Sequence, residues 1–90
     1  MIGRQVFYEG RVQGVGFRYT VRQLAKGFDV VGWVRNLLDG RVEVQVSGEP
    51  DEVTEFLTAI RESELAGFIK AEHEHQIAPQ TSGGGFQIQM

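Results

Sequence analysis

Residues 10–18 combine three glycines with two arginines, at the point where an apolar run gives way to a helical pattern. Gly14 and Gly16 allow a backbone with positive φ, so several N–H groups can turn toward one point. The apolar residues that follow recur at helical spacing, so the loop opens into a helix whose positive dipole end points the same way. Arg18 lies in the first turn, where a cation is slightly unfavourable, and functional sites often break such local rules. The pattern predicts a site for a small anion.

The alternative is a plain strand-to-helix turn whose arginine is merely solvated, and we favour the anion site over it. Two common nucleotide loops are excluded by the sequence. No Gly-Lys-Ser/Thr follows the glycines, and Tyr19 stands where a dinucleotide fingerprint has its third glycine. The sequence therefore does not imply an adenine nucleotide.

Composition indicates an ordinary small globular chain, and residues 1–90 are predicted to form a single domain. No apolar run is long enough to span a membrane, and no charged-then-apolar leader precedes the first strand. The sequence contains no cysteine, which removes disulfides, thiolate nucleophiles and cysteine metal sites. We expect a cytoplasmic, soluble protein with no membrane partner.

Charge is distributed unevenly along the chain. The formal net charge is -3, yet residues 1–48 carry seven basic and four acidic side chains, whereas residues 49–90 carry two basic and eight acidic ones. An acidic protein is a poor candidate for binding a polyanion, but a local cluster of arginines can still attract one small anion. We therefore expect a small anionic ligand and no nucleic acid.

The order of predicted elements is β-α-β-β-α-β with a short fifth strand. Strands are predicted at residues 4–12, 30–36, 41–47, 68–77 and 86–90, and helices at residues 17–26 and from Pro50 onward. Gly32 inside a strand indicates a bend or a close approach to another element. Residues 79–85 are predicted to form a loop, and its Gly83 to Gly85 run is interpreted as a flexible hairpin loop rather than a phosphate cradle, because no helix follows it. This order predicts an α+β fold, a ferredoxin-like two-layer sandwich with both helices on one face of an antiparallel sheet. In that fold the ends of the first and second strands lie close together, which brings Asn36 toward the glycine loop.

The sequence Gly-Arg-Val-Gln-Gly-Val-Gly-Phe-Arg at residues 10–18 resembles the acylphosphatase family, as do Gly-Trp-Val-Arg-Asn at 32–36 and Asp-Gly-Arg-Val-Glu at 39–43. The motifs are long and correctly ordered, and the resemblance extends from the first strand to the closing strand. Departures lie outside these motifs: residues 63–67 lack an expected proline, and the histidines at 73 and 75 are not part of the family pattern. Similar domains open much longer hydrogenase-maturation carbamoyltransferases, but we expect a stand-alone protein here.

The resemblance implies a hydrolase that cleaves the carboxyl–phosphate bond of acyl phosphates without a metal or other cofactor. It implies that Arg18 binds phosphate and that Asn36 positions the attacking water. Inorganic phosphate is then both product and competitive ligand, and we expect a monomer. The phosphate is also expected to be bound by the loop amides of Gln13, Gly14, Val15, Gly16, Phe17 and Arg18.

Alternatives remain for several of these residues. From spacing alone, Asn36 is a turn residue that satisfies its own backbone. His73 and His75 lie on one strand face and could bind a metal, but a packing or edge-strand role is the simpler interpretation because no third ligand is evident. An RNA-binding module has the same element order, but its third strand carries stacking aromatics, which residues 42–46 lack. A regulatory domain that binds a phosphorylated ligand without turnover also stays open.

Overall fold

Two helices cover one face of a five-stranded sheet in the computed structural model, which describes residues 1–80 and 83–89. The predicted β-α-β-β-α-β order and the ferredoxin-like α+β fold are confirmed. Residues 81, 82 and 90, which belong to the predicted hairpin loop and closing strand, lie outside the described residues. The strands are β1 (Ile2–Gly10), β2 (Val30–Asn36), β3 (Val42–Gly48), β4 (Ile69–Ile77) and β5 (Phe86–Ile88), and the helices are α1 (Phe17–Ala25), α2 (Pro50–Arg61) and a 3-10 turn (Glu64–Phe68).

The strands are arranged in the order β4-β1-β3-β2-β5. β3 pairs antiparallel with both β1 and β2, and β4 pairs antiparallel with β1. The predicted antiparallel sheet therefore holds for four strands, whereas β5 runs parallel to β2 and makes the sheet mixed. The prediction of a hairpin loop at Gly83 to Gly85 is wrong. β4 and β5 lie at opposite edges, so the chain crosses the sheet between them and arrives in the direction of β2.

The core lies between the sheet and the helices, and its pattern follows from the sequence. Alternate valines of β3 are buried against the helices, as are the apolar stripes of α1 and α2. β1 ends at Gly10 rather than at residue 12, because the pairing with β4 shifts register between Glu9 and Gly10. Val12 is nevertheless fully buried, so it anchors the start of the loop in the core.

Gly32 lies in β2 at a close approach to the backbone of β3. Its φ is 152°, and a Cβ built there would collide with the carbonyl oxygen of Gln45 on β3. The close approach predicted from a glycine inside a strand is therefore confirmed. Only a residue without a side chain fits at this point of the β2–β3 ladder.

The hydroxyl of Tyr8 is an exception to the satisfied polar groups of the core. Tyr8 is fully buried and its ring packs on Phe17, with 5.2 Å between ring centroids. Its hydroxyl has no hydrogen-bond partner within the described part of the chain. Burial raises the pKa of this hydroxyl above its usual range, with a smaller contribution in the same direction from the Glu72 carboxylate. A buried hydroxyl without a partner destabilises the folded state.

Replacing Tyr8 by Phe is therefore expected to raise the free energy of unfolding by about 1 kcal/mol at neutral pH. The unfolded chain loses the Tyr8 proton above about pH 10 while the folded chain keeps it, so the parent loses stability above that pH and the advantage of the variant grows. Urea unfolding between neutral and alkaline pH measures both effects. Tyr19→Phe removes a hydroxyl from a tyrosine that is 61% exposed and serves as control. Equal effects of the two substitutions would contradict the interpretation.

Candidate active site at the glycine loop

The glycine loop and the end of β2 meet in a pocket of about 330 Å³ at one end of the sheet. β1 and β2 flank β3 and both run antiparallel to it, so their carboxyl ends point the same way. The loop follows β1, and Asn36 is the last residue of β2. The residues lining the pocket are Val12, Gly14, Gly16, Phe17, Arg18, Tyr19, Asn36 and Ile88.

Two left-handed glycines shape the loop. Gly14 has a φ of 81°, and Gly16, the N-cap of α1, has a φ of 79°. A Cβ at either glycine would meet no atom within 4 Å, so glycine is required for the backbone conformation rather than for space. The N-cap residue contributes no side-chain hydrogen bond to α1. The N-terminus of α1 therefore faces the pocket without a side-chain cap, an arrangement that suits an anion.

Four of the six residues predicted to bind phosphate line this pocket: Gly14, Gly16, Phe17 and Arg18. Arg18 is half-buried in the first turn of α1. Val15 packs against the core instead, and Gln13 is turned toward the β2–β3 hairpin. The predicted roles of all six residues, which concern their backbone amides as well, stay predictions.

The side chain of Gln13 joins the loop to the hairpin that follows Asn36. Its Nε2 donates to the carbonyl oxygens of Leu37, at 2.8 Å, and Arg41, at 2.9 Å. The N–H of Leu37 donates to the Arg41 carbonyl at 2.8 Å, which closes the hairpin. One amide group thus fixes the position of the loop relative to Asn36.

Asn36 lines the pocket, and one polar atom of its side chain lacks a hydrogen-bond partner among the described residues. Its side-chain Oδ1 is buried and has no hydrogen-bond partner among residues 1–80 and 83–89. The expectation from spacing alone, a turn residue whose side chain bonds its own backbone, is therefore not what the structure shows. A buried amide oxygen without a partner is costly unless something else donates to it. Asn36 lines the pocket, and its role in positioning a water molecule stays a prediction.

Three lining residues, Val12, Tyr19 and Ile88, were not predicted. Tyr19 follows Arg18 directly and is 61% exposed in the structure. Its position next to Arg18 is the sequence signal that could have indicated it as a lining residue. Ile88 reaches the pocket because β5 pairs parallel with β2. No local pattern in the sequence indicates that pairing.

A carboxylate is buried on the other face of the sheet, next to the end of β2. The side chain of Glu43 is 3% exposed and accepts hydrogen bonds from Gln5 at 2.7 Å, Arg35 at 2.9 Å and Gln45 at 3.1 Å. Burial alone would raise the pKa of Glu43, but the hydrogen bonds from Gln5, Gln45 and Arg35 outweigh it, so the net shift is downward. Arg35 also stacks over Trp33, 4.8 Å from the ring centroid. This network holds the strand that carries Asn36 against β3.

The two histidines of β4 are exposed on the same face of the sheet. His73 Nε2 lies 2.8 Å from a carboxylate oxygen of Glu9, and the ring of His75 contacts Phe7 edge-on. Within the described ranges, no three His, Asp or Glu side chains form a group that could hold a metal ion. Neither α1 nor α2 combines the length and the apolar composition that a membrane-spanning helix needs.

Comparison with known proteins identifies the family of this chain. Residues 4–88 match the sequence model of the acylphosphatase family. The chain belongs to the acylphosphatase family. It is 36% identical over 86 residues to an acylphosphatase of Koribacter versatilis, covering 96% of this chain and 78% of that protein.

Solved structures agree with that family assignment. An acylphosphatase structure from Bacillus subtilis matches with a TM-score of 0.89 and 30% identity, and the match covers all of both chains. The HypF protein of T. kodakarensis matches with a TM-score of 0.85 and 26% identity, covering all of this chain but 12% of that one. The acylphosphatase fold thus also occurs as a small part of a much longer chain.

Gln13→Glu is expected to lower the free energy of unfolding by about 2 kcal/mol, because a carboxylate would face two carbonyl oxygens and two hydrogen bonds would be lost. Urea unfolding without phosphate measures the change. Gln76→Glu places the same substitution at an exposed position of β4 and serves as control. If both variants lose the same stability, the Gln13 amide does not tie the loop to the hairpin.

Glu43 is expected to make stability depend on acid pH. Its pKa is lowered in the folded state, so its contribution is present above the ordinary value of about 4.3 and is lost as pH falls through the folded-state pKa. Glu43→Gln should be less stable than the parent at neutral pH, and the difference should shrink below about pH 4. Urea unfolding across this pH range tests it, with exposed Glu55→Gln as control. A difference that does not change with pH would contradict the expectation.

Proposed function

We propose that this acylphosphatase-family chain hydrolyses the carboxyl–phosphate bond of acyl phosphates, giving a carboxylate and inorganic phosphate. One observation carries the proposal: Arg18, the glycine loop and Asn36 line the same pocket, and the buried Oδ1 of Asn36 has no hydrogen-bond partner within the described residues. The Koribacter versatilis and Bacillus subtilis proteins named above are acylphosphatases by their descriptions, which supports the same activity here. The proposal treats residues 1–90 as one cytoplasmic, monomeric domain.

Phosphate binding is assigned to the loop and to Arg18. The left-handed glycines and the N-terminus of α1 supply N–H donors, and the guanidinium supplies a planar pair of donors that matches two phosphate oxygens. Phosphoryl transfer through a loose transition state requires mainly positioning and donors for the equatorial oxygens. The loop amides from Gln13 to Arg18 and the Arg18 side chain meet that requirement together.

Water activation is assigned to Asn36. Its Oδ1 has no partner within the described residues, so it can accept a hydrogen bond from a water molecule and orient it toward phosphorus. An amide is not a base at neutral pH, so the proton of the water passes to a phosphate oxygen. The leaving group is a carboxylate, already a weak base, and its departure requires no strong general acid.

Charge neutralisation in this scheme comes from the chain itself. The guanidinium of Arg18 and the N–H groups of the loop act on the developing charge, so the steps described need neither a metal nor another cofactor. Inorganic phosphate, as the product, is expected to occupy the same donors and to compete with substrate. A receptor that binds phosphate without turnover is the second candidate, and the experiment below separates the two.

Arg18→Ala and Asn36→Ala are each expected to lower kcat/KM by about 100-fold or more, because each removes a group that acts in the transition state. The measurement is hydrolysis of benzoyl phosphate with EDTA present, together with inhibition by inorganic phosphate. Asn36→Ala should leave phosphate inhibition largely intact, whereas Arg18→Ala should weaken it. The two losses then separate phosphate binding from water positioning.

Arg4→Ala is the matched control, because Arg4 pairs with Glu74 near the start of β1, at the far end of the sheet from the loop. It should keep the parent activity. Unfolding curves show whether each variant is folded. If the parent protein binds phosphate but does not hydrolyse benzoyl phosphate, the chain is a phosphate receptor and the proposed enzymatic activity is wrong.

A further inference from the structure

A groove runs from the candidate active site along α1 and is lined by cations. Its first part is the active-site pocket, which ends at Ile88. Ile88 also lines the next recess, together with Arg22 and the preceding residues of the β5 segment, 84–87. Arg22 then lines a third recess with Lys26, Gly85 and Phe86. We call this continuous depression between α1 and residues 84–88 the α1–β5 groove.

The cations of the groove are regularly spaced. Arg18, Arg22 and Lys26 follow one another at intervals of four residues, which places them on one side of the helix, about 6 Å apart along its axis. Like charges at this spacing destabilise a helix. α1 itself contains no Asp or Glu, although the protein as a whole is acidic. We call these three residues the cationic stripe. The stripe is positively charged, whereas the chain as a whole is acidic.

The described residues that line the groove carry no carboxylate opposite Arg22 or Lys26. No Asp or Glu is among the described residues that line the three recesses. Within the described part of the chain, no ion pair is found for Arg22 or Lys26, whereas Arg4, Arg35, Arg41 and Arg61 each pair with a carboxylate. Arg22 and Lys26 at the C-terminal end of α1 also favour its dipole. The helix dipole explains why these two residues are positively charged. It does not explain why they line a groove that joins the active-site pocket.

The opposite wall of the groove is fixed in position. The N–H of Gly32 donates to the carbonyl of Gly85 at 3.1 Å, and β5 pairs with β2 from Phe86 to Ile88. Phe86 packs on Phe56 of α2, with 5.3 Å between ring centroids. A chain that leaves the pocket past Ile88 therefore runs between a fixed strand and the guanidinium of Arg22.

We propose that the α1–β5 groove binds a second anionic group of the substrate. The preferred substrates are then acyl phosphates whose acyl chain, a few carbon atoms long, ends in a carboxylate or phosphate. Arg22 binds that terminal anion, and Lys26 adds to the local positive potential. The inference rests on the proposed function for the reacting phosphate, but anion binding in the groove can be measured without turnover.

The test compares two stable phosphonates that differ only in a terminal charge. Phosphonopropionate carries a carboxylate at the end of its chain, and propylphosphonate ends in a methyl group. The parent is expected to bind phosphonopropionate about fivefold to tenfold more tightly by calorimetry, and this preference should fall as salt is added. Arg22→Gln should abolish most of the preference, and Arg22→Lys should restore part of it.

Lys70→Gln is the matched control, because it removes one positive charge at an exposed position of β4, at the opposite edge of the sheet. It should keep the preference of the parent. In turnover, the ratio of kcat/KM for succinyl phosphate over acetyl phosphate should fall about fivefold in Arg22→Gln but not in Lys70→Gln.

Three outcomes would contradict anion binding in the α1–β5 groove: the parent shows no preference between the phosphonates, it fails to bind phosphonopropionate, or Arg22→Gln and Lys70→Gln have equal effects. Failure of the proposed function is a different result. In that case neither succinyl phosphate nor acetyl phosphate is hydrolysed, while the preference for phosphonopropionate and its dependence on Arg22 persist.

Discussion

The position of β3 between β1 and β2 is the constraint on which the candidate site depends. Because β3 pairs antiparallel with both neighbours, β1 and β2 must point the same way, and the segments that follow them emerge at one end of the sheet. Within the β2–β3 ladder, the lack of a side chain at Gly32 allows β2 to approach the carbonyl group of Gln45. The glycine loop comes from one strand and Asn36 from the other. Pairing of the backbone thus brings together residues that are distant in sequence.

Local patterns were sufficient to predict most of the fold and the centre of the site. The alternation of valines in β3, the helical stripe of α2 and its opening at Pro50 are each determined by near neighbours in sequence. Left-handed glycines at positions 14 and 16 follow from the same local reasoning. The element order places Asn36 near the glycine loop, whereas its assignment to the site came from the resemblance to the family.

Features that depend on partners distant in sequence could not be predicted from local patterns. The parallel pairing of β5 depends on a crossing of the whole sheet, and neither its direction nor the place of Ile88 in the pocket is encoded by period or turn type. Gln13 was assigned by its backbone, whereas its side chain bonds carbonyl groups more than twenty residues away. The burial of the Glu43 carboxylate could not be predicted, because the alternation of β3 does not show that Gln5 and Arg35 enclose it. Each difference reflects partners far along the chain.

The short strand β5 also protects the sheet from association with other chains. β2 is apolar over much of its length, and an exposed strand of that kind is a template for pairing between molecules. β5 covers part of this edge through its pairing with residues 32–34. The other edge belongs to β4, whose sequence alternates charged and histidine side chains that discourage a second strand from docking. The backbone of β5 thus covers part of one edge and charged side chains line the other, and both features disfavour pairing between the sheets of two molecules.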